Sequence, residues 1–455
     1  MHPPTPNLSR RDLLKYSLGT AAGLALAGAS VPAWAGGDEP ARPPRIAPIA
    51  AKAKSVIQVW LWGGPCHLDT FDPKPGAGRD YSGPLNNPVQ SVVDGVKIGQ
   101  HLPLLAKLAD RYALLRGLTH GNNGHETAAY LVQAGRKAGP IVHPGIGAIV
   151  AYARTQAGYQ GMLPPYIALT SQQGRFSEAG YLGAKYKPFA TGGDPSKDPF
   201  TVEGIVARGI SEERQRDRRA LLAELDRIGD ETGAGVVEAA SAIDRGREQA
   251  YEMILGKAGK VFDLTQEKTD LRDRYGRNRF GQSCLCARRL VEAGVPYVTI
   301  NHQGWDTHKG HFEEMGRKLP ELDKGLAALL TDLSERGLLD STIVWVGGEF
   351  GRTPKVSWEE PWNGGRGHHG KAFSALVAGG GFKGGSVVGK TDPHGETVIE
   401  RPIWPWDLLG TMYALLGIDG ALKLPHPQGL DTRVSPLGTD EILAKETGGL
   451  LTEIV

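Results

Sequence analysis

The chain has 455 residues, 40% of them hydrophobic, which is enough to bury a large core in one elaborated α/β domain or two. Its 52 basic and 50 acidic residues leave a formal charge of +2 spread along the chain, and this excludes an electrostatic case for nucleic acid or for an anionic membrane surface. The three cysteines, Cys66, Cys284 and Cys286, exclude a disulfide framework; the latter two lie in a helical pattern and read as small core residues.

The amino-terminal segment reads as an address. Ser9-Arg10-Arg11-Asp12-Leu13-Leu14-Lys15 precedes an apolar run from Leu18 to Ala29, and Ala33-Trp34-Ala35 supplies small residues for cleavage. Residues 1–35 resemble a twin-arginine signal peptide, which implies export of the folded protein by the twin-arginine machinery to the periplasm or beyond. The run is too short and too rich in Gly and Ala for a stable membrane span of about 20 residues. Residues 36–54, with Pro, Ala and Arg prominent, read as a linker.

Strand signals and polar loops then alternate. Val56 to Trp62 is apolar almost throughout and predicts a strand buried on both faces of a parallel sheet. It runs into Gly63-Gly-Pro-Cys-His-Leu-Asp-Thr-Phe-Asp72, where His67, Asp69 and Asp72 either coordinate a cation or hydrogen-bond the turn. Leu104 to Arg116 has apolar residues at helical spacing and predicts an amphipathic helix. After Gly117-Leu-Thr-His-Gly-Asn-Asn-Gly-His-Glu-Thr127 comes an Ala-rich helix to Gly135; a polar turn opening into a helix suits an anion. His125, at the mouth of that helix beside Asn122, Asn123 and Glu126, reads as a metal ligand, a general base or a transient phosphoryl acceptor.

The middle, Ser211 to Lys260, is charged and helical with mixed signs, a solvated face without functional signal. Helical pattern continues from Leu264 to Ala293 with a break at Tyr275-Gly276. Tyr297 to Ile300 is a short β-branched and aromatic run behind Gly294-Val-Pro296, and at its end stands Asn301-His-Gln-Gly-Trp-Asp-Thr-His-Lys-Gly-His311. His302, Asp306, His308 and His311 thus share one loop at a strand's carboxyl end, where open α/β sheets bind ligands. Imidazole nitrogen with carboxylate oxygen is the donor mixture that zinc and similar divalent ions accept.

Ser341 to Val346 predicts another strand, followed directly by Gly347-Gly-Glu-Phe-Gly-Arg-Thr-Pro354. There Glu349 and Arg352 read either as a metal ligand and an anion clamp or as an ion pair holding the loop. Gly364-Gly-Arg-Gly-His-His-Gly370 places His368 and His369 just before the small-residue strand Phe373 to Ala378. Asp407 to Leu416 predicts a helix stopped by Gly417, and His143, His394 and His426 read as surface residues.

The order Gly-Gly-x-x-His-x-Asp-Thr-Phe-Asp-Pro-Lys-Pro, Trp-Asp-Thr-His, Gly-Glu-Phe-Gly-Arg-Thr-Pro, Gly-Arg-Gly-His-His, Ala-Gly-Gly-Gly-Phe-Lys-Gly-Gly and Gly-Lys-Thr-Asp resembles a large family of signal-bearing bacterial proteins of unknown function. That family is similar in fold to the alkaline phosphatase and sulfatase superfamily. The resemblance implies an α/β fold, a mostly parallel central sheet sandwiched by helices, over residues 55–440, with a helical insertion around 203–293 and a tail at 441–455. It implies a divalent-metal site at the strand ends, with Asp306 and His308 or His311 at one metal, joined by His368 or His369, with Glu349 where the superfamily has Asp, and Phe350 where it has His. His67 or Asp69 replaces the metal-binding Asp of the first strand, and His125 falls at the nucleophile position. The function implied is a metal-dependent hydrolase of sulfate or phosphate esters with His125 and Arg352 as catalytic residues, acting on an anionic ester or glycan. The alternative is a non-catalytic relative that binds an anionic glycan or organises the envelope.

Overall fold

A computed structural model describes residues 49–171, 178–198, 200, 202 and 259–455. The predicted signal peptide and nearly all of the predicted charged helix at Ser211–Lys260 lie outside the described residues.

Numbered in chain order, the central sheet contains β1 (Ser55–Leu61), β2 (Tyr112–Leu118), β3 (Tyr166–Leu169), β4 (Phe189–Ala190), β5 (Tyr297–His302), β6 (Thr342–Gly347), β7 (Phe373–Ala378) and β8 (Ser386–Val388), in the spatial order β8-β2-β7-β6-β1-β5-β3-β4. Among these strands only β7 runs against its neighbours. Every residue of β1 is buried, as its unbroken apolar run requires at the centre of a sheet covered on both faces. The pleat sends Ile57, Val59 and Leu61 into one core and Val56 and Trp60 into the other.

The first core is closed by α3 (Arg279–Glu292) and α4 (His311–Glu335) through residues such as Leu285, Leu290, Leu326 and Leu330. The second is closed by α1 (His125–Ala134), α2 (Ile146–Gln156) and α5 (Pro405–Leu415), with Ala129, Ile149 and Leu409 among their contributions. Cys284 and Cys286 are fully buried core residues. Gln58 is the one polar residue inside β1. Its Oε1 accepts from Tyr297 Oη at 3.2 Å and Thr299 Oγ1 at 3.1 Å, so a buried amide is answered instead of stranded.

One predicted element is corrected. Leu104 to Arg116 is not a helix: a short helical turn at Pro103–Ala106 gives way to β2, which pairs with β7 and β8. A strand buried on both faces has a continuous apolar run, and periodicity alone does not separate that from a helix. The helical turn itself is held from afar, because the Asp323 carboxylate accepts from the backbone N–H groups of Leu104 and Leu105, both at 2.8 Å. His143, predicted at the surface, is partly buried with its ring edge-on to Tyr181 at 5.5 Å.

The register fixes where the loops emerge. Leu61 lies opposite His302 and Trp60 opposite Gly347, so the carboxyl ends of β1, β5 and β6 share one edge of the sheet. Gly63 is where two of those loops meet. It has φ +107°, and a Cβ there would stand 2.2 Å from the Asp306 backbone nitrogen. Gly63→Ala is therefore expected to destabilise the fold by about 1–3 kcal/mol, read as a lower urea midpoint with an unchanged slope. An unaltered midpoint would mean that the approach of the two loops is not tight.

Candidate metal centre

Four sequence segments deliver side chains to this edge. Asp306 and His308 come from the loop after β5, Glu349 and Arg352 from the loop after β6, and His125 from the first turn of α1. His368 comes from a two-stranded ribbon in which it pairs with Arg352 and His369 with Gly351. The Asp306 carboxylate is the hub. Its Oδ1 lies 3.0 Å from His308 Nε2, 3.0 Å from His368 Nε2 and 2.6 Å from Arg352 Nη1, while its Oδ2 lies 3.2 Å from His125 Nε2. The two imidazole nitrogens of His308 and His368 are 2.9 Å apart.

Hydrogen bonds on the far sides of the rings fix what the near sides can do. His368 Nδ1 faces the carbonyl of Asn123 at 2.8 Å, and since a carbonyl only accepts, Nδ1 carries the proton. His125 Nδ1 donates to Glu349 Oε1 at 2.7 Å, an oxygen that also accepts from the Gly63 N–H at 2.9 Å. In both neutral rings Nε2 is then a lone pair aimed at an Asp306 oxygen. Lone pair against carboxylate at about 3 Å is repulsive unless a cation, proton or metal, stands between them. Proton-bearing far nitrogens held by a carbonyl or a carboxylate are the outer arrangement that metal-binding histidines use.

The donor atoms also have the spacing for an ion. His308 Nε2, His368 Nε2 and Asp306 Oδ1 are mutually 2.9 to 3.0 Å apart, close to the roughly 3.3 Å edge of a tetrahedron with metal–ligand bonds near 2.0 Å. Glu349 is fully buried, and its Oε2 has no hydrogen-bond partner among the described residues. A buried, partnerless carboxylate oxygen beside imidazoles is the further mark of a site built for a cation.

Electrostatics agree. Burial would raise the Asp306 carboxyl, but Arg352 and the adjoining histidines hold it at about 2, so it is anionic at neutral pH. His125 is raised, chiefly by its hydrogen bond to Glu349, so a metal at its Nε2 would have to displace a proton that the two carboxylates favour. His308 is lowered by burial and by Arg352, which favours the neutral, ligating form.

Other predicted residues go elsewhere. Arg352 is fully buried, and besides Asp306 it donates to Gly63 O at 3.1 Å and to Arg366 O; it is the ion pair that holds the loop, not an open clamp. Asp69 and His311 form a separate buried group. His311 Nε2 meets Asp69 Oδ2 at 2.6 Å, His311 Nδ1 meets Thr307 Oγ1 at 2.5 Å, and Arg366 Nε stands 3.4 Å from Asp69. Cys66 lies against the same carboxylate, its thiol pushed up to about 12 by burial. With a guanidinium already answering Asp69, this group buttresses the Asp306 loop from behind. His67 is buried and bonded to Gly395 O at 2.8 Å, and His369 stacks near it with its own Nε2 2.8 Å from Glu396 O. Both therefore face the 390–400 loop, away from the cluster.

Two contributors, His120 and Trp62, escaped the sequence reading, and Phe350 has a packing role that it did not give. His120 Nε2 lies 2.7 Å from the backbone oxygen of Glu349 and positions that residue. Trp62 stacks on His125 at 6.1 Å, and Phe350 stacks on His368 at 4.5 Å, so aromatic faces hold both rings. Each sits inside a motif singled out for other residues, which was the available signal.

A family model described as "Protein of unknown function (DUF1501)" matches residues 53–444. The chain belongs to the DUF1501 family. No curated protein matches it. Among solved structures the chain is similar to a protein in the alkaline phosphatase superfamily from Vibrio parahaemolyticus, at 13% identity and TM-score 0.38, over 82% of this chain and 69% of that one. It is similar also to the PsFucS1 sulfatase from Pseudoalteromonas sp., at 14% identity and TM-score 0.36 over 82% and 69%. The lipoteichoic acid synthase LtaP from Listeria monocytogenes overlaps at 10% identity and TM-score 0.38, over 85% and 76%.

For this DUF1501 member the buried Asp69 yields a prediction independent of any ion. Burial would raise its carboxyl, but Arg366 and His311 hold it at about 2, below its ordinary value of 3.8. Its contribution to stability is thus fully present above pH 4 and lost as pH falls from 4 towards 2. Asp69→Asn leaves Arg366 unpaired and is expected to cost about 3–5 kcal/mol at pH 7 while flattening the acid limb of the stability profile. Equal acid sensitivity in wild type and variant would show that Asp69 is not the titrating group.

Proposed function

We propose that the protein is an exported, metal-dependent hydrolase of sulfate or phosphate esters. The observation that carries this is the pair of imidazoles, His125 and His368, whose Nδ1 protons are spent outward and whose Nε2 lone pairs converge on the Asp306 carboxylate. Asp306, His308, His368 and His125 would hold one ion, with Glu349 fixing His125 from behind and offering its free Oε2. A divalent ion held there supplies Lewis acidity toward an ester oxygen.

What the chain itself does follows from its own bonds. Arg352 keeps Asp306 anionic and in place, and the outward hydrogen bonds lock the tautomers of His125 and His368. Two hydroxyls of the adjoining segments are engaged: Thr127 Oγ1 donates to Asn122 Oδ1 at 2.9 Å, and Thr307 Oγ1 is bonded to His311. Attack by water, with no covalent intermediate, is therefore the reaction that this arrangement supports. A glycan as the bearer of the ester fits the rim. Trp362 is 40% exposed and stands 6.3 Å from His308, an indole beside the cluster.

The test is elemental analysis and turnover together. Purified mature protein is expected to carry about one divalent ion per chain and to hydrolyse an aryl sulfate or an aryl phosphate. His125→Ala and His368→Ala should lose the ion and the activity together, because each removes a lone pair from the same centre. Protein that stays metal-free after loading with zinc, manganese or calcium would sink the proposal. Full metal without turnover of either ester would leave the non-catalytic binding role in its place.

Export rests on the amino-terminal motif. Changing Arg10 and Arg11 together to Lys is expected to leave precursor in the cytoplasm, detected as uncleaved chain in fractionated cells. Normal export of that variant, or a mature amino terminus that still contains Leu18, would contradict the assignment.

A further inference from the structure

A second cavity opens at the same sheet edge, where β3 and β5 end. It has a volume of about 230 Å³, and Thr170, Arg279, Phe280, His302, Lys318 and Glu321 are among the residues that line it. Its features are those of a built site. His302 is the last residue of β5, and its Nε2 is buried with no partner among the described residues, while its ring is clamped between Phe280 at 4.4 Å and Trp305 at 5.6 Å. A buried polar atom left unanswered costs stability unless something outside the chain meets it.

Thr170, on the opposite wall, has φ +76°, a conformation that β-branched residues adopt only under constraint, and such strain concentrates where ligands are bound. Two cations face the space. Arg279 is exposed, and among the described residues its guanidinium makes only a 3.4 Å contact to Gly193 O, while Lys318 donates to Gln303 O at 2.7 Å, stands over the Trp305 ring and has Glu314 Oε1 at 4.0 Å. Set against the single carboxylate of Glu321, Arg279 and Lys318 give the lining a net charge of +2 − 1 = +1. That balance favours an anion, and a planar carboxylate presents two oxygens to the fork of Arg279.

We infer that this cavity is a binding site for a carboxylate-bearing ligand of about sugar size, held by Arg279 and Lys318 with His302 Nε2 as a third polar contact. The site is distinct from the metal centre, sharing with it only the 303–310 loop, and it does not depend on the hydrolase reading. His302 is lowered to about 3 by burial, so at neutral pH it is an uncharged imidazole that hydrogen-bonds the ligand without adding charge.

The experiment is calorimetric titration of the mature protein with glucuronate, acetate and glucose. Glucuronate is expected to bind saturably, acetate more weakly and glucose not at all. Arg279→Met is a surface change that should leave the fold intact, and it and Lys318→Met should each weaken glucuronate about tenfold or more. Glu321→Gln should bind as well or more tightly, and His368→Ala should bind unchanged. Binding of glucose equal to glucuronate, retention of affinity in both cation variants, or loss of binding in His368→Ala would each overturn the inference. So would the absence of any saturable glucuronate binding.

Discussion

The ion pair between the buried Arg352 guanidinium and the partly exposed Asp306 carboxylate is the constraint on which the rest of this edge depends. Arg352 is carried by the loop after β6, Asp306 by the loop after β5, and the same guanidinium reaches Gly63 O at the end of β1 and Arg366 O beyond the ribbon. One side chain thus ties together the carboxyl ends of three adjacent parallel strands. Arg352 is fully buried while Asp306 is 40% exposed, so removing Asp306 would strand a buried guanidinium, whereas removing Arg352 would leave a carboxylate that water still reaches. The pair also sets the chemistry, because a carboxylate held anionic is what the three converging imidazoles require.

Behind that pair lies a second tier. Asp69, Arg366, His311 and Thr307 form a buried chain of charge-assisted bonds directly under the Trp305–Gly310 turn. Thr307 stands between Asp306 and His308 in sequence, so fixing its hydroxyl fixes the two outward side chains on either side of it. Glu349 and His120 do the same for His125 and for the loop after β6. Residues with metal-ligating side chains therefore divide into those whose lone pairs face one another and those that hold the first set in place. Burial and the presence of Arg366 make the difference.

The motif segments were legible because their composition is improbable for packing alone: four of the eleven residues from Asn301 to His311 are His or Asp, behind a strand that ends there. The same signal does not say which of these residues share one centre. His67, Asp69, His311 and His369 are the same residue types in the same loops, yet His67 and His369 bond to backbone carbonyls, while His311 and Asp69 bond to each other, with Thr307 and Arg366 completing that group. One-dimensional spacing records which loops meet, not which atoms within a loop point across the gap.

By itself the sequence determined the alternation of apolar runs and glycine-rich loops, and with it a parallel α/β sheet whose strand ends carry His, Asp and Glu. It determined this because strands buried on both faces and turns at positive φ restrict residue types locally. Only the tertiary structure decided that Leu104 to Arg116 would yield β2, since pairing with β7 and β8 outweighs a helical spacing that a doubly buried strand also satisfies. It also decided which histidines converge. That choice rests on hydrogen bonds between residues more than two hundred positions apart, such as His125 with Glu349 and His368 with Asn123, and contacts of that range leave no mark in local composition.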